Sequence, residues 1–363
     1  MSYLNHTREA QIEVTIIGID LAKRIFYLHG VDKNGKTVLK KKLMRDNLLN
    51  FIVNLPKCLI GMEACGGANY WAQEISKLGH DVRLMAPQFV KPYIKTNKND
   101  EKDAEGICEA VSRPSMRFVP IKTTDQQDVL SIHRVRERLI KNRTALSNEI
   151  RGLLHEFGII IPQGIHKVIG HLNEALESSR LSEFSKQTFK TLRDEFLEND
   201  KRISELEKRL KLMAQNNEVH AQLMEIPGIG LITSTALIAS IGNAANFENG
   251  RQLSAWLGLV PRQPSTGGKE KLLGISKRGN VYLRTLLIQG ARAVFTQRIA
   301  IPKKKETLKT NNSVFSDWMI NLSNRRGFNT SVVAIANKLA RVVYAVLRSG
   351  QNYTENKVCH GQI

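Results

Sequence analysis

The chain has 363 residues, a formal net charge of +20 and four cysteines. This length allows two or three domains, each burying a core without disulfides or a structural metal. Hydrophobic residues make up 42% of the chain, and no apolar run reaches the roughly eighteen residues that span a bilayer, so no membrane role is expected. The spacing of Cys58, Cys65, Cys108 and Cys359 argues against a zinc site or a disulfide framework.

The basic excess indicates a polyanionic partner. Lys and Arg number 54 against 34 Asp and Glu, and such an excess favours phosphate contacts with release of counterions. Nucleic acid is the leading candidate, although basic proteins also bind membrane surfaces and acidic proteins. The first residues, MSYLNHTREAQ, lack the basic stretch and apolar block of a secretory signal, so we expect a cytoplasmic protein.

Residues 12–115 have the alternating patterns of an α/β domain. The segments EVTIIGID, RIFYLHGVD and TVLKKKL predict three antiparallel strands, the last two joined by a turn. Strands and helices then alternate. The predicted elements are a short helix from Asp46 to Leu55, a strand at KCLIGME, a helix from Ala68 to Leu78, a strand at DVRLMAP, a short helix after Pro87 and a helix beginning near Asn99.

Two long helices are predicted within residues 120–216, one from Thr124 to Phe157 and one from Leu181 to Gln215. The second is highly charged and has a heptad-like seam at Ile203, Leu206 and Leu210. An antiparallel helical hairpin and an intermolecular coiled coil both fit this pattern.

Residues 220–348 predict a third, mainly helical domain with a Gly-rich loop near Ser265, followed by a polar, frayed tail at 349–363. The PGIG segment precedes an apolar helical run, as in a helix-hairpin-helix turn, and its Gly228 and Gly230 would expose backbone N–H groups to phosphate. A plain turn between two helices is the alternative.

Four acidic residues follow or open these predicted elements. Asp20 and Glu63 end two apolar strands, while Asp100 and Asp103 lie one turn apart at the start of a helix. Such a cluster requires cations, and carboxylate oxygens suit Mg²⁺ or Mn²⁺ in a two-metal phosphodiester site. Each acid taken alone is better explained by a helix start or a turn. Their joint layout matches an RNase H-like fold.

The chain resembles the DEDD transposases of bacterial insertion sequences, which have an RNase H-like (RuvC-like) amino-terminal domain. In that domain the resemblance rests on GIDLAK, GMEACGGANYW and KNDEKDAEGI. In the carboxy-terminal domain it rests on PGIG, on the stretch from FENGRQ to NVYLR and on ANKLARVVYAVL. The match covers nearly the whole chain in the family's order.

The resemblance implies that Ser265 is a nucleophile working with Asp20, Glu63, Asp100 and Asp103 as Mg²⁺ ligands. A serine hydroxyl needs activation by a metal or a base, so the loop would pack against the acids, and the composite site could form between protomers. A flexible turn is the interpretation of Ser265 from the residues alone. The adjacent hydroxyl of Thr266 is a further candidate.

Candidate phosphate ligands surround this serine: Lys269, Lys277, Arg278 and Arg284. Solvated surface charge is the alternative for these four residues. The GGK sequence that ends at Lys269 lacks the spacing of a nucleotide-binding loop, so ATP use is not supported.

The sequence thus predicts a transposase that cleaves and rejoins double-stranded DNA at the ends of its own element. The resemblance further implies a guide RNA, known in this family as a bridge RNA, and a homo-oligomeric dimer or tetramer. A metal-dependent nuclease or junction resolvase without serine chemistry is the first alternative. An architectural nucleic-acid-binding protein is the second. We expect Trp71 and Trp256 to be core residues and assign no chemistry to His133 and His155.

Overall fold

A computed structural model of the chain describes residues 13–94, 99–215, 217–266, 269–297 and 314–354. They divide into two compact units, one up to Thr123 and one from Thr124 onwards. The first unit contains a mixed sheet and the second is mostly helical, which agrees with the predicted order of fold classes. The long helices and the carboxy-terminal helices share the second unit, where the sequence predicts two domains.

A six-stranded sheet with the order β3-β2-β1-β4-β5-β6 forms the centre of the first unit. Strands β1, β4 and β5 are parallel, and the other neighbours pair antiparallel. The first three strands are the predicted meander. The strands are β1 (Ile16–Leu21), β2 (Ile25–Val31), β3 (Thr37–Met44), β4 (Leu59–Glu63), β5 (Asp81–Met85) and β6 (Phe118–Val119).

Helices cover both faces of this sheet. The helices are α1 (Leu48–Ile52), α2 (Ala68–Lys77), α3 (Pro87–Val90) and α4 (Asp100–Val111). One face of the sheet buries Ile17 and Ile19 together with Trp71 of α2, which confirms Trp71 as a core residue. The opposite face packs against α4, where Ile107 is fully buried beside Met85.

Two glycines let α4 lie directly on the sheet. A Cβ atom on Gly18 of β1 would stand 2.3 Å from the Ala104 carbonyl oxygen and 2.3 Å from the Cys108 amide nitrogen. A Cβ on Gly61 of β4 would stand 2.7 Å from the Val111 side chain. Real Cβ atoms do not come so close to other heavy atoms, so these glycines set the distance between helix and sheet.

The second unit begins with a long helical hairpin. Helix α5 (Thr124–Glu156) and helix α7 (Glu183–Ala214) pack side by side, with α6 (Val168–Leu176) between them in sequence. Arg136 pairs with Glu207 at 2.6 Å, and Arg143 pairs with Asp200. Because later residues of α5 meet earlier residues of α7, the two helices are antiparallel.

The seam residues of α7 are buried to different degrees. Ile203 and Leu210 are buried and Leu206 is half-buried. An antiparallel hairpin within one chain accounts for this pattern, so the hairpin interpretation is supported, and the coiled coil between chains stays a prediction.

The remaining helices of the second unit surround a hydrophobic core. They are α8 (Glu218–Met224), α9 (Leu231–Ile241), α10 (Gly250–Trp256), α11 (Val281–Phe295), α12 (Val314–Arg325) and α13 (Phe328–Ser349). Helix α13 is long and apolar enough to cross a bilayer, but more than half of its apolar stretch is buried. It contributes Ile335, Leu339 and Val343 to the core, and Trp256 packs against the same core as a partly buried residue. These contacts are those of a core helix.

A two-stranded ribbon replaces the predicted Gly-rich loop. Strands β7 (Ser265–Thr266) and β8 (Lys269–Glu270) pair antiparallel, and backbone hydrogen bonds extend the ladder to Gly258 and Lys277. Two residues separate β7 from β8, and they lie outside the described part of the chain. The expected fraying of the tail from 355 onwards lies outside it too.

Candidate active site

The four predicted acids converge at one end of the sheet, on the face that α4 covers. Ile19 of β1 lies beside Met62 of β4 in parallel register, so the next residues, Asp20 and Glu63, lie side by side near the carboxyl ends of these strands. Asp100 and Asp103 form the first turn of α4 on the same face. Carboxylate oxygens of Asp20, Asp100 and Asp103 lie within 4.8 Å of one another.

Asn99 fixes where α4 begins and therefore where its two aspartates stand. Its side-chain oxygen accepts a hydrogen bond from the Glu101 amide at 3.0 Å, and its carbonyl accepts one from the Asp103 amide at 3.0 Å. Asn is a favoured N-cap residue because its side chain satisfies an amide that has no partner within the helix. The prediction of a helix beginning near Asn99 is confirmed.

The electrostatics of Glu63 show that it belongs to the same cluster. Burial raises the pKa of the Glu63 carboxyl, and the negative charges of Asp20 and Asp103 raise it further. A carboxylate that is destabilised by burial and by like charges is stabilised when a cation binds beside it. Glu63 is thus the fourth member of the cluster, although the tight oxygen group comprises the three aspartates.

This donor set fits a hard divalent cation. Every candidate ligand is a carboxylate oxygen, and Mg²⁺ and Mn²⁺ prefer oxygen ligands to nitrogen or sulfur. The mutual repulsion at Glu63 supplies a physical reason for a cation at this position. Asp20, Asp100 and Asp103 are therefore residues that could hold a divalent metal, and Glu63 belongs to the same cluster.

Ser265 belongs to the second unit, whereas the acids belong to the first. Its side chain is exposed, and it pairs with Glu270 near the end of the ribbon. Thr266, the alternative nucleophile, pairs with Lys269 in the same ladder. A Gly-Gly pair between two short extended segments is a hairpin signal that our interpretation of a loop missed.

The base of the ribbon presents two exposed cations. Lys277 and Arg278 are exposed, and Lys277 has a positive φ of 54°, which is rare for a residue with a side chain. The Lys277 amide donates to the Gly258 carbonyl at 3.2 Å, which joins the two ends of the ribbon. The side chains of Lys277 and Arg278 therefore lie on a turn that this backbone hydrogen bond holds in place, called the braced turn below.

Arg284 is buried, whereas a phosphate ligand must lie at the surface. Its residue is 7% exposed, and its Nη1 donates to the carbonyls of Leu257 at 2.9 Å and Arg278 at 3.2 Å. These bonds fasten α11 to the base of the ribbon. Arg284 therefore positions the loop that carries the two exposed cations, and we do not retain it as a phosphate ligand.

The PGIG segment forms the turn between α8 and α9, as predicted. Gly228 has a φ of +87°, and a Cβ there would stand 2.8 Å from the Gly290 carbonyl of α11. Gly230 precedes the first residue of α9 and is exposed, with open space where a Cβ would stand. One glycine therefore packs against the domain and the other leaves the start of α9 accessible, as phosphate binding at that point would require.

Comparisons with known proteins agree with this arrangement. A family profile of the DEDD type, described as "Transposase", matches residues 17–159, and the profile "Transposase IS116/IS110/IS902 family" matches residues 220–306. The first match covers the four acids, and the second covers the PGIG turn and the ribbon.

Three relatives match over almost the whole chain. A "Probable family 20 transposase" of Pseudomonas aeruginosa is 47% identical over 334 residues, covering 91% of this chain and 96% of the relative. The "Transposase for insertion sequence element IS1111A" of Coxiella burnetii is 42% identical, covering 97% and 95%. The "Transposase for insertion sequence element IS1328" of Yersinia enterocolitica is 42% identical, covering 94% and 99%. The chain belongs to the IS110/IS116/IS902 family of insertion-sequence transposases, which are enzymes of DNA transposition.

Proposed function

We propose that this transposase cuts and rejoins DNA at an active site with two parts, the acidic cluster of the first unit and the serine ribbon of the second. The convergence of Asp20, Asp100 and Asp103 with Glu63 carries the proposal. Four carboxylates held together at one end of a sheet repel one another unless cations neutralise them. A metal site of this kind can serve phosphodiester chemistry.

The carboxylates bind and orient the metal that the reaction needs. Asp20 and Glu63 come from rigid strands, and Asp100 and Asp103 come from a helix that two glycines hold against those strands. Ligands on rigid elements lose little entropy when the metal and the substrate arrive. When bound, Mg²⁺ or Mn²⁺ neutralises these carboxylates and polarises the scissile phosphate.

Ser265 is the proposed nucleophile. Its oxygen forms a bond to phosphorus, the bond from phosphorus to one deoxyribose oxygen breaks, and the serine proton is balanced by the proton that the released sugar hydroxyl acquires. The resulting phosphoserine link conserves the bond energy for rejoining. The exposure of Ser265 near the end of the ribbon supports this role, since a nucleophile must reach the DNA backbone.

Three groups are proposed to hold DNA phosphates near the serine. Lys277 and Arg278 are exposed on the braced turn, and Gly230 leaves the start of α9 accessible. Lys269 stays a candidate by its place on β8, and its side chain lies outside the described residues. Such contacts fix the register of the DNA without reading its sequence.

Sequence choice is assigned to a guide RNA, in keeping with the family resemblance and the net charge of +20. Base pairing between RNA and DNA would select the target while the protein reads backbone shape. We further propose that the active protein is a cytoplasmic homo-oligomer in which the ribbon of one protomer serves the acids of another.

A plasmid rearrangement assay in cells that carry donor, target and guide tests this function. Asp20→Asn, Asp103→Asn and Ser265→Ala are each expected to abolish rearrangement. Glu109→Gln, a charge-removing change two turns further along α4, is the matched control and should retain activity. Full rearrangement by the acidic-cluster variants would refute the catalytic role of the cluster.

Mixing two inactive chains tests the composite site. If the acids and the serine act across protomers, coexpression of Asp20→Asn and Ser265→Ala chains restores part of the rearrangement. If both halves must come from one chain, the mixture stays inactive.

A further inference from the structure

A cleft of about 250 Å³ lies beside the acidic cluster, between strands β2 and β3 and the first half of α4. Its lining is mainly polar and charged. The residues that define it are Tyr27, Leu28, His29, Lys40, Lys41, Lys42, Asn99, Glu101, Lys102 and Glu105. The segments on which the family resemblance rests do not include the lysine run of β3.

The strand register places the cleft on the same face of the sheet as the acids. Tyr27 lies opposite Asp20 on the neighbouring strand, and Lys42 lies opposite Tyr27 on the strand beyond. Residues directly opposite in neighbouring strands share a face. A row from Lys42 through Tyr27 to Asp20 therefore runs across three strands towards the acidic cluster.

Alternation along β3 divides its three consecutive lysines between the two faces. Lys40 and Lys42 are on the cleft face, and the Lys42 ammonium lies 5.6 Å from the centroid of the Tyr27 ring. Lys41 lies on the other face, where its ammonium is 4.3 Å from the centroid of the Phe51 ring. Successive strand residues point to opposite sides, so this division follows from the backbone.

The charge of the cleft favours an anion. Lys40, Lys42 and Lys102 outnumber Glu101 and Glu105 among the side chains that define it. An anionic substrate that approaches four clustered carboxylates is repelled by them, and lysines beside the cluster offset that repulsion. The lysines therefore stand where a polyanion near the acids would need them.

We propose that this cleft binds the sugar-phosphate backbone of the DNA strand next to the phosphate that is cut. The proposal rests on the proposed function, because it assumes that the acids act on DNA. Two strand spacings of about 4.8 Å separate β3 from β1, so the backbone of Lys42 lies about 10 Å from that of Asp20. A single DNA strand covers this distance within a few nucleotides, so it reaches the cleft and the acidic cluster together.

Lysine footprinting on the wild-type chain tests the proposal without cleavage. The protein is acetylated with and without a random-sequence DNA duplex in Ca²⁺ buffer, and each lysine is quantified by tandem mass spectrometry. DNA is expected to slow the acetylation of Lys40 and Lys42 and to leave Lys41 unchanged. Equal protection of all three lysines, or no protection of Lys40 and Lys42, would overturn the proposal.

A random-sequence RNA hairpin serves as the second probe. Protection of Lys40 and Lys42 by RNA but not by DNA would overturn the assignment and make the cleft a guide-RNA site. Because binding is measured without cutting, this result is independent of the plasmid assay for catalysis.

Salt dependence of DNA binding provides a matched variant test. A Lys40→Gln/Lys42→Gln double variant should make the negative slope of log K against log salt concentration shallower by about 2, one for each lost phosphate contact. Lys41→Gln removes a charge from the same strand on the other face and should leave the slope at its wild-type value. Identical slopes for the double variant and the wild type would contradict the proposal.

Discussion

Acidification is expected to destabilise the second unit in part through His133, a buried histidine of α5. Its Nδ1 lies 2.9 Å from the Tyr282 hydroxyl, and its Nε2 lies 3.1 Å from the Thr235 hydroxyl. The Thr235 hydroxyl donates to the Leu231 carbonyl at 2.7 Å, so its oxygen accepts from Nε2–H. With its proton on Nε2, the neutral imidazole accepts at Nδ1, so the Tyr282 hydroxyl donates its proton there. Every group is satisfied when the imidazole is neutral.

The magnitude follows from the pKa of this histidine. Burial, with a smaller contribution from the charge of Arg136, lowers the pKa of His133 from 6.5 to about 4. The unfolded chain therefore takes up a proton more readily than the folded chain, and stability rises with pH. The stabilisation is complete above pH 6.5 and is lost as the pH falls towards 4. The difference amounts to about 3 kcal/mol in the free energy of unfolding.

Urea unfolding followed by circular dichroism at several pH values between 7.5 and 4, roughly the interval spanned by the two pKa values, measures this loss. His133→Asn should flatten the pH dependence by about 3 kcal/mol relative to the wild type. His155→Gln, which changes an exposed histidine on the same helix, should keep the wild-type dependence. Parallel curves for the wild type and His133→Asn would refute the reasoning.

Three further predictions concern the two halves of the active site. Gly18→Ala should abolish rearrangement and lower the free energy of unfolding by about 1–3 kcal/mol, because the new Cβ meets the Ala104 carbonyl and lifts α4 from the sheet. Gly152→Ala, with open space around it, is the control. Equal urea midpoints for Gly18→Ala and the wild type would contradict the packing argument. Mg²⁺ at ten times its dissociation constant should stabilise the protein by about 1.4 kcal/mol; the gain in melting temperature should vanish in Asp103→Asn, and its persistence there would place the metal elsewhere. Arg284→Met should lower the free energy of unfolding in urea by about 1–3 kcal/mol, because the Leu257 and Arg278 carbonyls lose their buried donor. An unchanged urea midpoint would argue against a positioning role for Arg284.

The sheet and the acidic cluster were largely predictable because their signals are local. Apolar strands that end in Asp20 and Glu63 predict carboxylates at one sheet edge when those strands run parallel. The polar residue Asn99 before an acidic first turn predicts the start of α4 and the placement of its aspartates. In these cases the pattern along the chain and the three-dimensional arrangement carry the same information.

Other features depend on partners that are distant in sequence. Arg284 looks like a surface cation until Leu257 and Arg278 are placed beside its guanidinium. No local sequence motif predicts the burial of His133, because its partner Tyr282 lies 149 residues further along the chain. Which of the β3 lysines share the face of the acids depends on the register with β2, which periodicity alone does not specify.

Covalent trapping on a suicide DNA substrate tests the central claim most directly. With Mg²⁺ the wild-type chain should form a protein–DNA adduct, and mass spectrometry should place the link on Ser265. The adduct should disappear in Ser265→Ala and in Asp103→Asn, since both halves of the site are required. A cleaved substrate without any adduct would instead indicate hydrolysis by a metal-dependent nuclease, and an adduct that survives Ser265→Ala would assign the nucleophile to another residue, with Thr266 as the first to examine.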